Sequence, residues 1–180
     1  MKATGIVRRI DDLGRVVIPK EIRRTMRIRE GDPLEIYTSR DGEVIFKKYS
    51  LLGGVEDFAG QLCETMSRST GRICAVTDRD TVIAVAGGAK RELLGKRITA
   101  ELEQVMDGRR IYQYDGEGTP IPVCDGNDRL TTAVAAPILS EGDLLGLVLF
   151  VDTEPGGAVS DAEYKLAQTI SAFLGRHMEG

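Results

Sequence analysis

The sequence predicts an α+β protein with two domains, a small basic one followed by a larger acidic one. Residues 1–52 carry twelve Lys or Arg and eight Asp or Glu, a net charge of +4, whereas residues 53–180 carry twelve and twenty, a net charge of −8. The composition changes near Gly53-Gly54, where consecutive glycines favour a short linker. We therefore expect one domain over 1–52 and a second over 53–180.

The first domain is predicted to contain four short strands and one helix. Residues 5–10 and 15–18, which are rich in Ile and Val, predict two strands, joined by a turn in which Gly14 can adopt a positive φ. Pro19 then favours the first turn of a helix that continues to about Met26. Residues 34–38 and 43–47 follow as a hairpin around Asp41-Gly42.

The second domain alternates helices and strands. Predicted helices cover residues 55–69 and 99–106, and predicted strands cover 72–77, 81–86 and 110–114. A long loop over 115–127 precedes a hairpin of strands 131–139 and 144–151. The last helix begins with a capping box of Ser160 and Glu163. Its expected apolar stripe consists of Ala162, Leu166, Ile170, Phe173 or Leu174, and Met178.

The composition excludes several classes of protein. The 42% hydrophobic and 29% charged residues are typical of a folded soluble chain, and no run approaches the roughly 18 apolar residues of a membrane span. The N-terminus has no apolar segment of the kind found in signal peptides. We therefore expect a cytoplasmic, nucleoid-associated protein with no membrane partner.

The few cysteine and histidine residues argue against catalysis and metal binding. Cys63, Cys74 and Cys124 are odd in number and form no close pair, so buried reduced thiols are the simplest interpretation. His177 is the single histidine, which excludes most hydrolytic triads and histidine-based metal sites. We expect no catalytic residues, no metal site and no cofactor.

A cationic face on the first predicted helix indicates a polyanionic partner. Lys20, Arg23, Arg24 and Arg27 fall within a sector of about 100°, opposite Ile22 and Met26. Residues 8–29 contain seven Arg and one Lys against three acidic residues. Arginine suits phosphate oxygens and the major-groove edge of guanine. Solvated surface charge is the alternative for such a face taken alone.

The small size of the first domain predicts a dimer. About 50 residues with one short helix bury little apolar surface, and neither a disulfide nor a metal is available to compensate. A second copy would complete the core and present two-fold related cationic surfaces. Symmetric half-sites on double-stranded DNA are the natural partner of such a dimer.

Residues 4–19, with the sequence TGIVRRIDDLGRVVIP, resemble the opening of the AbrB-type transition-state regulators. The likeness continues through residues 21–24 and 34–36 to Lys47-Lys48-Tyr49. It implies a swapped-hairpin β-barrel, in which two chains form one intertwined dimer. It also implies DNA contacts at Arg8, Arg15, Arg23 and Arg24, with Arg9 and Lys20 as weaker candidates, and sequence preference that comes largely from DNA shape.

Residues 137–150, with the sequence PILSEGDLLGLVLF, resemble the final hairpin of a GAF domain, as does the order of elements in the second domain. Joined to a swapped-hairpin domain, it resembles the stage V sporulation protein T family over essentially the whole chain. That resemblance implies a forespore regulator that activates some genes and represses others. It also implies a tetramer assembled through the helices at 55–69 and 160–178.

The GAF-like domain has no small-molecule ligand that the residues identify. A pocket under the 115–127 loop near Gly87-Gly88 is one interpretation, and glycines that only serve turns are the favoured one. Residues 90–97 superficially resemble a phosphate-binding loop, but Lys90 replaces the first glycine and Arg97 stands where Ser or Thr is required.

Two further functions compete with gene regulation. Swapped-hairpin domains also occur in antitoxins, although those usually continue into a disordered tail rather than a patterned domain. Some GAF-fold proteins reduce methionine sulfoxide with cysteines, yet no sequence feature here lowers a thiol pKa.

Overall fold

The computed structural model describes residues 4–154 and 159–179. Its contacts divide the chain into two units, Met1–Tyr49 and Ser50–Gly180. The division follows Tyr49 rather than residue 52, because Leu52 is fully buried in the core of the second unit. Among the described residues, no helix is long and apolar enough to cross a bilayer.

The first unit contains one helix and one hairpin. Helix α1 (Lys20–Met26) begins after Pro19 and ends at Arg27, which adopts the left-handed conformation with φ of 51°. Strands β1 (Leu34–Thr38) and β2 (Val44–Lys48) pair antiparallel. The predicted helix and the predicted second hairpin are both present.

The two strands predicted at 5–10 and 15–18 are not formed, and residues 4–19 contain no strand in the structure. Their turn is formed: Gly14 N–H donates to the Asp11 carbonyl, Asp11 N–H donates to the Arg15 carbonyl, both at 3.0 Å, and Gly14 has a φ of 76°. A strand needs a hydrogen-bonding neighbour along its length. In this single chain only the turn end of the hairpin is closed.

The second unit is built on one antiparallel sheet. Its elements in chain order are α2 (Glu56–Thr70), β3 (Ile73–Thr77), β4 (Val82–Ala86), α3 (Lys90–Leu93), α4 (Ala100–Asp107), β5 (Tyr112–Gln113), β6 (Pro122–Cys124), β7 (Asn127–Ser140), β8 (Asp143–Asp152) and α5 (Asp161–His177). The strand order is β4-β3-β8-β7-β5, and β6 also pairs with β7. The prediction of a continuous loop over 115–127 is wrong in part, because this segment contains β6. Helix α3 was not predicted.

The core lies on both faces of this sheet. Along β8, Val148 and Phe150 join the cluster that α2 and α5 cover, whereas Leu147 and Leu149 join the cluster that α4 covers. Both sets are fully buried. Because alternate residues of a strand point to opposite faces, a strand buried on both sides becomes a continuous apolar run, as residues 144–151 do.

Helix α5 turns most of its predicted stripe toward the core: Leu174 is buried, and Leu166, Ile170 and Met178 are half-buried against it. The capping box is present, with Ser160 N–H donating to Glu163 Oε2 at 2.6 Å and Glu163 N–H donating to Ser160 Oγ. Ala162 and Phe173, two members of the predicted stripe, are exposed. The buried residues are Glu163, Ala167, Ser171, Leu174 and Gly175. Most of these are small, so the helix lies close to the sheet.

A charged contact explains why Glu163 belongs to the buried face. The guanidinium of Arg72 donates to Glu163 Oε1 at 2.5 Å and also to Asp152. Burial by itself would raise the pKa of both carboxyls. At Glu163 the hydrogen bonds from Ser160 and the charge of Arg72 outweigh burial and the pKa is lowered, whereas at Asp152 burial prevails and the pKa is raised.

Replacing Gly175 with Ala should destabilise the second unit. An added Cβ would lie 2.0 Å from the Leu139 carbonyl oxygen, so α5 would have to move away from β7. We expect a loss of about 1–3 kcal/mol in the free energy of unfolding, measured by urea denaturation. Gly60→Ala in α2 is the control, since nothing lies within 4 Å of its added Cβ, and it should gain about 0.5–1 kcal/mol. Equal stability of the two variants would contradict this packing.

Candidate nucleic-acid interface

The six predicted DNA-binding residues all lie in the first unit. Arg8, Arg9 and Arg15 flank the turn at residues 11–14, whereas Lys20, Arg23 and Arg24 lie on α1. Five of them are exposed and Arg23 is half-buried. Lys20 and Arg24 are one helical turn apart, so their side chains leave α1 on the same side.

Asp11 orients Arg15. Its carboxylate accepts the backbone N–H groups of Leu13 at 3.0 Å and Arg15 at 2.8 Å, and it accepts Arg15 Nε at 2.8 Å. The hydrogen bonds from the Arg15 backbone and then its side chain lower the pKa of Asp11. The Arg15 side chain remains 70% exposed, so its outer nitrogens stay available. Sequence reasoning missed Asp11, although an Asp that opens a tight turn often caps it in this way.

Arg23 differs from the other five residues because part of its guanidinium is buried. Its Nε is buried and has no hydrogen-bond partner among the described residues, although the side chain as a whole is half-buried. A buried N–H without an acceptor is costly. A phosphate oxygen or an acceptor from a second copy of the chain would satisfy it.

Two residues that the sequence analysis missed hold the end of α1 in place. The carboxylate of Asp32 accepts a hydrogen bond from the Arg29 backbone N–H at 2.8 Å, and Lys48 Nζ lies 3.9 Å from Asp32 Oδ2. Lys48 Nζ also donates to the Arg27 carbonyl at 2.8 Å. These bonds connect the C-terminal end of α1 to β2, and they use Lys48 for structure rather than for an external anion.

The β1–β2 hairpin has one polar face and one apolar face. On the polar face, Tyr37 Oη donates to Glu35 Oε2 at 2.5 Å, and Lys47 Nζ lies 4.7 Å from the Tyr37 ring. The hydrogen bond to Glu35 raises the pKa of Tyr37. On the other face Ile36 and Phe46 are register partners, and they are 61% and 43% exposed.

No apolar residue among 4–49 is fully buried in this single chain. The exposed apolar residues of this unit include Ile6, Val7, Ile10, Leu13, Val16, Val17, Met26, Ile36, Val44 and Phe46. A soluble domain does not leave so many large apolar side chains in water. The cationic residues are therefore carried by a unit whose core is incomplete.

Both parts of the chain match known proteins. Residues 54–179 match the family described as stage V sporulation protein T C-terminal, transcription factor, and residues 7–50 match the family described as antidote-toxin recognition MazE, bacterial antitoxin. The transition state regulatory protein AbrB of Bacillus subtilis (strain 168) is 63% identical over 49 residues, which are 27% of this chain and 50% of AbrB.

The second unit also has structural relatives. The GAF domain of the Acinetobacter phosphoenolpyruvate-protein phosphotransferase superposes with a TM-score of 0.50 at 13% identity, covering 73% of this chain and 84% of that one. At this identity the likeness shows the fold alone. Together with the AbrB match, it confirms the predicted AbrB-like first domain and GAF-like second domain.

One relative spans both units. Stage V sporulation protein T of Bacillus subtilis (strain 168) is 46% identical over 180 residues, which cover 99% of each chain. This chain therefore belongs to the stage V sporulation protein T family of transcription factors.

Proposed function

We propose that this chain binds double-stranded DNA through residues 1–52 and regulates sporulation genes in the forespore, activating some and repressing others. The observation that carries the proposal is the exposed cationic set of the first unit, in a segment 63% identical to a transition state regulatory protein. Arg8, Arg15, Arg23 and Arg24 are the main contacts, and Arg9 and Lys20 contribute less. A DNA-binding regulator of this kind acts in the cytoplasm, at the nucleoid.

The DNA-binding form is a dimer of the first unit. Its exposed apolar residues and the unpaired segment 4–19 support this, because a second copy supplies both a core and neighbouring strands. Interlaced strands would also bring two sets of cationic residues onto one surface. A two-fold symmetric surface matches two half-sites about one helical turn apart on the duplex.

Residues 53–180 assemble dimers into a tetramer and carry any sensory function. An aromatic cluster at the contact of α2 with α5 supports this role. Phe58 lies 4.6 Å from the His177 ring and 6.0 Å from the Phe173 ring, measured between centroids, and Phe173 is 49% exposed. The helices predicted at 55–69 and 160–178 supply this surface. The proposal needs no cofactor.

Fluorescence anisotropy of the full chain with a promoter-length duplex tests the proposal. Affinity should fall linearly with the logarithm of the salt concentration, because cationic side chains displace counterions from phosphates. Absence of binding to any duplex at low salt would contradict the proposal, and a protein partner would then be the better interpretation.

We further propose that the chain is not a thiol-dependent reductase. Burial raises the pKa of Cys63 and Cys74 to about 12 and that of Cys124 to about 11. Thiols of this kind are scarcely ionised at neutral pH and are poor nucleophiles.

The native thiols should therefore react slowly with a thiol reagent. At pH 8 we expect the three cysteines of the folded chain to react at least about a hundredfold more slowly than those of the chain in denaturant. Absorbance of the released thiolate from a disulfide reagent measures both rates. Fast reaction of one thiol in the native chain, together with turnover of free methionine sulfoxide, would instead favour the reductase.

An antitoxin remains the second candidate, since residues 7–50 match an antitoxin family. An antitoxin neutralises its toxin with a segment that folds on binding. Here the residues after the first unit form an ordered sheet with two buried clusters instead. Co-purification of a small toxin from the native host would favour this candidate.

A further inference from the structure

A cationic segment of the second unit is unexplained by the function proposed above. Residues 90–97, which we call the strap, contain four of the twelve Lys or Arg of residues 53–180 and one acid. The rest of that region has eight Lys or Arg against nineteen Asp or Glu. The strap is thus a local cationic site on a strongly acidic domain.

The strap is held in place by its backbone and by one of its two leucines. Leu93 is fully buried in the cluster under α4. Gly95 N–H donates to the Val82 carbonyl at 2.8 Å, and Val82 N–H donates to the Lys96 carbonyl at 3.0 Å, so the strap is bonded to β4. The single acid of the strap, Glu92, forms an ion pair with Arg129, whose Nη2 lies 2.6 and 2.7 Å from the two carboxylate oxygens.

All four Lys and Arg side chains of residues 90–97 are exposed and have no ion pair with another described residue. Lys90 lines a groove of about 350 Å³ together with Glu56, Asp57 and Glu64, so acidic groups already surround it. Arg91, Lys96 and Arg97 are outside that groove. These three, all exposed to solvent, are the strap cations.

We infer that the strap cations contact the phosphate backbone of duplex DNA outside the segment bound by the first unit. The inference rests on the proposed function, because DNA bound by the first unit stays at high effective concentration near the rest of the same chain. Duplex DNA carries one charge per roughly 1.7 Å of its axis, so it supplies anions at the density that several fixed cations require. The contact is independent of sequence, since phosphates carry no base information.

Anisotropy titrations of the full chain on two duplexes test this inference. A duplex of about 20 base pairs accommodates two half-sites, whereas one of about 50 base pairs extends beyond them. The test variant is Arg91→Gln, Lys96→Gln, Arg97→Gln. The matched control is Arg109→Gln, Arg110→Gln, Lys165→Gln, which removes the same charge from exposed positions outside the strap.

We expect the test variant to bind the long duplex about tenfold more weakly than the control, with a salt slope shallower by about two or more. On the short duplex the two variants should match. Equal affinities on both duplexes, while Arg24→Ala still loses binding, would overturn the strap contact and leave the proposed function standing. Failure of the unmodified chain to bind either duplex would overturn both. An equal loss by test and control variants would assign the effect to net charge and also reject the strap.

Discussion

Arg15→Ala and Arg24→Ala should each weaken duplex binding by at least about tenfold. In a dimer each substitution removes two contacts, so the salt slope should become shallower by about two. Arg15 is held by Asp11 with its outer nitrogens exposed, and Arg24 is exposed on α1, so neither loss comes from a disrupted core. Anisotropy over a series of salt concentrations measures both quantities.

Arg40→Ala is the matched control for these variants. Arg40 is also an exposed arginine of the first unit, but it lies at the tip of the β1–β2 hairpin and outside the predicted contact set. Its removal should change the affinity by less than about threefold, since a single surface charge away from the interface contributes little. If Arg40→Ala weakened binding as much as Arg24→Ala, the effect would be general electrostatic attraction and the assigned interface would be wrong.

Phe46→Asp should reduce the assembly to half its mass or less and lower duplex affinity by about a hundredfold. Phe46 is paired with Ile36 on the apolar face of the hairpin, and both are exposed in the single chain. Burying two phenylalanines in a dimer contributes roughly 3–6 kcal/mol, and a buried carboxylate without a partner opposes association further. Sedimentation equilibrium measures the mass, and anisotropy measures the affinity.

Tyr37→Asp provides the control for that variant. Tyr37 is 40% exposed, close to the 43% of Phe46, but it lies on the polar face of the same hairpin, where it donates to Glu35. The substitution should leave the mass and the duplex affinity nearly unchanged. An unchanged mass for Phe46→Asp would show that the apolar face of the hairpin is not the dimer surface.

The sequence alone determined those features that depend on residues a few positions apart. Pro19 predicted the start of α1, and Ser160 with Glu163 predicted the start of α5. The turn at Gly14 and the hairpin around Asp41-Gly42 follow from local backbone preferences in the same way. The cationic residues of the first unit could be predicted from their number and their helical spacing. The resemblance of this segment to known regulators points to the same residues.

Contacts between distant residues decided the rest. Arg72 and Glu163 are 91 positions apart, and their contact, together with the approach of Gly175 to Leu139, places on the buried face of α5 two residues that the spacing of apolar residues did not predict. Strand β6 has three residues and forms only because β7 lies beside it. Likewise Asp32 and Lys48 acquire their roles from the packing of α1 against β2.

The strands expected at 5–10 and 15–18 show the same limit most clearly. Their apolar residues are evident in the sequence, yet Val7 is 88% exposed in the single chain and no strand forms. Helices and turns satisfy their backbone hydrogen bonds within a few residues, whereas a strand depends on a neighbour that the local sequence does not contain. What the sequence determined was the local geometry and the charge, and what the tertiary structure decided was which of those surfaces are buried and which still need a partner.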